Sequence, residues 1–490
     1  MYIGVDIGTS SVKSVTIDNE GVIYDIQQIA YQIYSPESDF QEQNPEEIFE
    51  ATMKVLQGSI HFLSDANKNI SSVCFSAAMH SLMAVDLAGK PMTNLITWAD
   101  SRAKKMADDL RNTEEGRNIY LQTGTAIHAM SPLCKLLWFK DQKANLLNDA
   151  HKFIGIKEYL FFKLFGVYVI DYSLASATGL FDVFGLAWHL KSLQLIGIEA
   201  TKLSTPVPTT TIFRLAPDAA FLAGLPPETP FVIGASDGCL ANLGAGAVNN
   251  GEIATTIGTS GAIRMTSDKP FTDPQMRTFC YITDENLYAI GGAINNGGIA
   301  VAWLSETFPP NIIAEKDIYQ SIFELAATVP AGAEGLVFLP FLLGERAPIW
   351  NSDAKGVFFG IQKKHTQSHF YRSVLEGIMF SLLSVEKAFE QEQHTAIYAT
   401  GGFTKTDFWV QMMADIFNRK IIVPNSSESA SVGACLLAMK ALGEIKNWQE
   451  VKKIIQIEKE FYPKQENTTL YLQNFALYQK LCAALSPLFA

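Results

Sequence analysis

The tetrapeptide Ile-Gly-Thr-Ser occurs twice, at 7–10 and at 257–260, each time between two β-prone runs and each time near the start of one half of the chain. Aligned at that offset, segments 3–18 and 253–268 share seven identities in sixteen positions. A tetrapeptide alone would be close to chance in 490 residues, so it is the shared strand–turn–strand context that reads as an ancestral duplication. A chain of this length exceeds what one hydrophobic core usually serves, and two domains of roughly 200–250 residues are expected. Turn residues cluster at Gly244, Gly246, Asn249, Asn250 and Gly251, which places the division between 1–246 and 247–490.

Strand-like runs at 2–5, 12–17 and 21–29 alternate with turn signals, a β-meander that opens the first domain. A helix over 45–63 follows, with Asn44 as cap and Pro45 in its first turn, and then an apolar strand over 72–75. Such alternation predicts an α/β fold. The tail from about 447 reads as amphipathic helix. A net charge of −12 excludes the basic footprint of a nucleic-acid partner. No apolar run approaches ~20 residues, so no membrane partner is expected. The N-terminus shows no secretory leader and the six cysteines lie far apart, which together predict a cytoplasmic protein.

A Gly-Thr-Ser turn between strands can aim backbone N–H groups and hydroxyls at an anion, because glycine lets the main chain come close. Gly8, Thr9 and Ser10, with Gly258 and Thr259, are therefore candidates for holding the phosphates of a nucleotide, against the plainer reading of two hairpin turns. The copies differ where charge is concerned: Asp6 becomes Thr256 and Lys13 becomes Ile263. Asp6 suits Mg²⁺ held partly through water, and Lys13 suits a transferring phosphoryl group. In isolation, the alternatives are a turn-capping aspartate and a surface lysine.

The apolar run 231–236 leads into Asp237-Gly238, and ligands bind at the carboxyl ends of strands in α/β sheets. A carboxylate there can take the proton of an attacking hydroxyl; the alternative is a helix N-cap. Gly401-Gly402 marks a strand-to-helix junction able to receive a flat ring or a phosphate, and Gly297-Gly298 precedes another apolar helix.

Two longer stretches carry a family resemblance over nearly the whole chain: Met-Ser-Pro-Leu-Cys-Lys-Leu-Leu-Trp-Phe at 130–139, and Gly-Val-Phe-Phe-Gly-Ile at 356–361 followed by 369–376. They resemble the signatures of the FGGY carbohydrate kinases. That resemblance implies an α/β fold of two actin-like, ribonuclease H-like domains around a central cleft, as in actin, Hsp70 and hexokinase. Segments 97–102, 123–128 and 171–179 are most similar to gluconokinases. By resemblance, Asp237 is the catalytic base, Thr9, Lys13 and Thr259 lie on phosphate segments, and Gly298 and Gly402 lie near the nucleotide. Met79, His80 and Trp98 fall where the family holds its polyol. The implied ligands are ATP, Mg²⁺ and a linear sugar acid, gluconate, phosphorylated on its terminal hydroxyl; a homodimer is compatible with the sequence. The alternatives are a pentulose kinase and a non-catalytic ATP-gated binding protein of the same fold.

Overall fold

The structure, a computed structural model, describes residues 1–489 except 217–219, 221–223, 225, 227, 311–316, 390–395 and 426–427. The chain forms two compact units. The first comprises Met1–Asn249, Ser267–Ile290 and Glu428–Ile455; the second comprises Asn250–Thr266, Gly291–Ser427 and Gln456–Ala490. Two stretches from beyond residue 250 thus belong with the first unit.

The first unit is built on a six-stranded sheet in the order Ile212–Phe213, Phe231–Ser236, Ser72–Ala77, Tyr2–Ile7, Ser11–Ile17, Ile23–Ala30. Phe231–Ser236, Ser72–Ala77 and Tyr2–Ile7 run parallel, and the flanking strands are antiparallel. Period-two alternation sorts the strand residues onto two faces. Ile3, Val5, Ile7, Val73 and Phe75 join Ile48, Val55 and Leu56 of the helix Pro45–Asp65. Tyr2 and Cys74, pointing the other way, join Leu240 and Leu243 of the helix Asp237–Ala245 and Val432 and Leu436 of the helix Ser429–Ala441. Each such side chain fully buried contributes about 1.5–3 kcal/mol. The last two helices cross in backbone contact: a Cβ on Gly244 would overlap the Ser429 carbonyl, and one on Gly433 would overlap that of Leu240. The start of Pro45–Asp65 agrees with the sequence, since Asn44 accepts the Glu46 N–H at 3.0 Å with Pro45 in the first turn.

The second unit repeats the same strand order. Leu287–Ile294, whose 291–294 end belongs to this unit, is followed across the sheet by Gly261–Ser267, Ile253–Ile257, Ile397–Thr400, Ile421–Pro424 and Ile457–Phe461. The hairpin is antiparallel, the next two pairings are parallel and the last is antiparallel. Ile457–Phe461 corrects the expectation of helix throughout the tail: this five-residue edge strand comes before the helix Gln465–Leu485. Its mostly polar sequence, Ile-Glu-Lys-Glu-Phe, gave no apolar run to betray it. Among the described residues no helix is long and apolar enough to cross a membrane, and the six cysteines are free.

Candidate active site

In the first unit three parallel strands end together. Ile7 and Ser236 both pair with Ala77, so the exits Gly8-Thr9-Ser10, Ala78-Met79-His80 and Asp237 share the carboxyl edge of one sheet, the edge at which α/β folds bind ligands. Asp6 lies one position behind, between Lys13 on one neighbouring strand and Ser76 on the other. The Ser76 hydroxyl donates to Asp6 Oδ1 at 2.6 Å. Burial raises the Asp6 pKa above the ordinary carboxylate value, while Ser76 and Lys13 pull it down. The Lys13 ammonium is engaged by Glu428 Oε2 at 2.5 Å, a partner that sequence offered no means of finding across 415 residues.

The turn itself is gripped by side chains. Trp98 Nε1 donates to Thr9 Oγ1 at 2.7 Å, Gln43 Nε2 donates to the Thr9 carbonyl at 2.5 Å, and the Tyr31 hydroxyl donates to the Gly8 carbonyl. Trp98, expected beside a polyol, ties its own segment to the Gly8-Thr9-Ser10 turn. Asp100, two residues on, is buried and holds Arg102 at 2.7 Å, with Glu42 on the same guanidinium at 2.5 Å.

His80 adopts a positive φ of 67°, a conformation costing a non-glycine residue of order 1–3 kcal/mol. Its Nδ1 lies 2.8 Å from the Ala177 carbonyl oxygen. In the neutral ring that contact puts the proton on Nδ1 and leaves Nε2 as an acceptor. The Tyr281 hydroxyl stands 3.5 Å from Nε2. Met79 packs against Ala177, Cys239, Phe279 and Tyr281, giving this side of the edge an apolar wall.

Asp237 occupies the first turn of its helix, but Ser236 is the cap, its hydroxyl accepting the Cys239 N–H at 3.4 Å. The N-cap alternative for Asp237 is thus filled by its neighbour. Beneath it lies a buried pair: Lys157 Nζ donates to Asp171 Oδ2 at 2.8 Å and to the Ala235 carbonyl at 2.9 Å, while Ser173 Oγ bonds Ser236 Oγ at 3.0 Å. Removing one partner of such a pair typically costs 3–5 kcal/mol. Sequence reasoning gave Lys157 and Ser76 no role. Asp171 entered only as the first residue of the gluconokinase-like segment 171–179; the structure shows it also capping the short helix Tyr172–Ser176.

In the second unit the turn is held by backbone. Gly258 N–H donates to the Ser260 carbonyl at 2.9 Å, and the first N–H groups of the helix Gly298–Thr307 bind back to it, Gly298 to the Gly258 carbonyl at 2.7 Å and Ile299 to the Thr259 carbonyl at 3.0 Å. A cavity of about 820 Å³ brings Gly258, Gly298 and Gly402 together with Val301, Phe323 and Phe403. Its size and mixed lining suit a nucleoside. Gly401, at φ 97° and ψ 179°, turns the chain out of the strand Ile397–Thr400.

Among the described residues no cluster of three or more His, Cys, Asp or Glu is arranged to hold a metal. Asp6, just behind the Gly8-Thr9-Ser10 turn, offers a single carboxylate compatible with Mg²⁺, an ion that keeps several waters and takes further oxygens from phosphates.

Two solved structures are similar to this chain, ligand-bound xylulose kinase and gluconate kinase, both from Lactobacillus acidophilus. Each is 34% identical with a TM-score of 0.93, covering 99% of this chain and 98% of the other. The class is that of the two-domain α/β sugar kinases, phosphotransferases that act on an alcohol group. Residues 1–244 match the N-terminal-domain model and 253–442 the C-terminal-domain model of one family. The chain belongs to the FGGY family of carbohydrate kinases. It is 44% identical over 493 aligned positions to a gluconokinase from Bacillus licheniformis, spanning 99% of this chain and 96% of that relative. A kinase of this family takes its phosphoryl group from ATP.

Proposed function

We propose that this protein transfers the γ-phosphoryl group of ATP to the terminal hydroxyl of D-gluconate, giving 6-phospho-D-gluconate. The observation that carries the reading is the convergence of the Thr9 turn, Met79-His80 and Asp237 at one sheet edge. The likeness to a gluconokinase supports the choice of acceptor.

Asp237 takes the proton of the terminal hydroxyl as its oxygen attacks phosphorus, the base role in phosphoryl transfer. His80 Nε2 accepts a hydrogen bond from a polyol hydroxyl, with Met79 and Trp98 lining the carbon chain. Lys13, released from Glu428, and the Gly8-Thr9-Ser10 turn stabilise charge on the moving phosphoryl group. Asp6 is the ligand for Mg²⁺, which when bound screens the phosphate oxygens. In the second unit Gly258, Gly298 and Gly402, which line the cavity described above, hold the nucleotide together with their neighbours Thr259 and Gly401. The division of labour follows the duplication, 1–246 supplying the acceptor site, the base and the first phosphate turn, and 247–490 the second phosphate turn and the adenosine site. Such an enzyme works in the cytoplasm, where ATP is supplied.

A pentulose kinase is the second reading, supported by the equal likeness to a protein described as xylulose kinase. Initial rates of ADP formation with gluconate, xylulose, ribulose and glycerol separate the two. Gluconate should lead in kcat/KM by about 10⁴-fold, the discrimination available when a site's buried polar groups lose a substrate partner. A pentulose in first place overturns the proposal.

A further inference from the structure

The helix Pro132–Gln142 sends a fully buried lysine inward. Lys135 Nζ donates to three main-chain carbonyls: His80 at 2.6 Å, Thr97 at 2.8 Å and Ile96 at 3.4 Å. An ammonium offers three donors and no acceptor, so these three oxygens saturate it. They belong to two separate stretches of chain, the exit of the strand Ser72–Ala77 and the end of the strand Leu95–Ile96.

Burying a charge this way is expensive. Desolvation pushes the Lys135 pKa down to about 7, with Asp100 opposing the shift. An apolar side chain of similar volume would fill the space with no such cost. What the ammonium adds is geometry. It holds the carbonyl of His80, a residue at φ 67° whose ring is fixed at its other end by the Ala177 carbonyl. It also holds the carbonyl of Thr97, and the next residue, Trp98, donates to Thr9 Oγ1 at 2.7 Å. One ammonium therefore links the His80 ring to the phosphate turn through His80, Lys135, Thr97–Trp98 and Thr9.

We propose that Lys135 is a positioning residue: it fixes the spacing between the acceptor-binding His80 and the Thr9 turn, so that the acceptor hydroxyl is presented to the phosphoryl group. The inference rests on the reading of His80 and Trp98 as acceptor-side residues. Lys135 touches neither substrate.

The test compares Lys135→Met, which keeps volume and removes all three donors, with Lys135→Gln, which keeps two. Purified full-length variants are assayed for kcat, for KM with gluconate and with ATP, and for thermal unfolding. The expected result is a gluconate KM raised about 10-fold and kcat lowered about 10-fold in Lys135→Met, with the ATP KM within twofold of the parent. Lys135→Gln should fall between the two. A purely structural lysine would lower the active fraction alone, reducing kcat with both KM values unmoved, and that outcome overturns the proposal. Failure of both variants to fold overturns it equally, since the lysine would then belong to the scaffold. His80→Ala, run in parallel, separates the two layers of argument. An unmoved gluconate KM in His80→Ala faults the acceptor-site reading; a raised one there, with an unmoved one in both Lys135 variants, faults this inference alone.

Discussion

The two units share one strand order and one tetrapeptide, yet they furnish the same topological positions with opposite chemistry. In the first, the turn after Tyr2–Ile7 is surrounded by side chains: Asp6 behind it, Lys13 across from it, and Trp98, Gln43 and Tyr31 bonded to it. In the second, the turn after Ile253–Ile257 is held by main chain alone, the Gly298 and Ile299 amides donating to its Gly258 and Thr259 carbonyls. The next parallel strand repeats the contrast, since Ser72–Ala77 runs out into Met79-His80 whereas Ile397–Thr400 runs out into Gly401-Gly402. Side chains suit an acceptor that must be chosen and deprotonated. Glycine-lined main chain, with no side chains in the way, suits the close approach of polyphosphate and a flat base.

Asp237→Asn strikes the comparison hardest. If deprotonation belongs wholly to the first unit, kcat should fall by about 10³-fold or more, at the upper end of general-base effects, while ADP affinity by calorimetry stays within twofold. Near-normal turnover would move the base elsewhere and dissolve the division of labour.

The hairpins differ in a subtler way. Asp6 pairs with Lys13 and Ile7 with Val12, leaving four residues in the first loop. Thr256 pairs with Ala262 and Ile257 with Gly261, leaving three in the second. Identical tetrapeptides thus sit in registers one residue apart, and a one-residue shift moves a side chain to the other face. Ile263, the counterpart of Lys13 in sequence, is therefore fully buried opposite Thr255, whereas the Lys13 side chain is 24% exposed. Restoring the missing cation with Ile263→Lys should not recreate the first turn. It should destabilise the protein by about 3–5 kcal/mol, the penalty of an uncompensated buried charge, read from the urea unfolding midpoint. An unchanged midpoint would mean that the two registers are interchangeable.

That shift shows where sequence stops speaking. Strands, turns and the repeat were legible because they are local: glycine turns, β-branched alternation and an Asn-Pro helix start sit within a few residues of one another. Gly258, Gly298 and Gly402 were legible as separate turns, family resemblance drew Gly298 and Gly402 toward one nucleotide, and the fold sets all three around one cavity. The register was not legible, because both copies read Ile-Gly-Thr-Ser. Nor were the partners of Lys135, since backbone carbonyls leave no mark on a sequence, nor the pairing of Lys13 with Glu428. Family resemblance pointed to Trp98 on the acceptor side. Only coordinates show its N–H on Thr9.

The smallest predicted effect comes from Gly401, and it isolates the nucleotide half. At φ 97° and ψ 179° the residue occupies a region open almost exclusively to glycine. A Cβ there would lie 2.6 Å from the Ile257 carbonyl oxygen, in the strand that leads into the second turn. Gly401→Ala must therefore displace either its own peptide or that strand, at a cost of order 1–3 kcal/mol. The loss should appear as an ATP KM raised about 10-fold, the equivalent of ~1.4 kcal/mol, with the gluconate KM within twofold of the parent. Paired with Asp237→Asn, this gives a double dissociation: one variant loses chemistry and keeps nucleotide, the other loses nucleotide and keeps acceptor. A matched rise in both KM values for Gly401→Ala would show that the bare turn and the side-chain turn work as a single grip, and the contrast between the two halves would then be one of ancestry without specialisation.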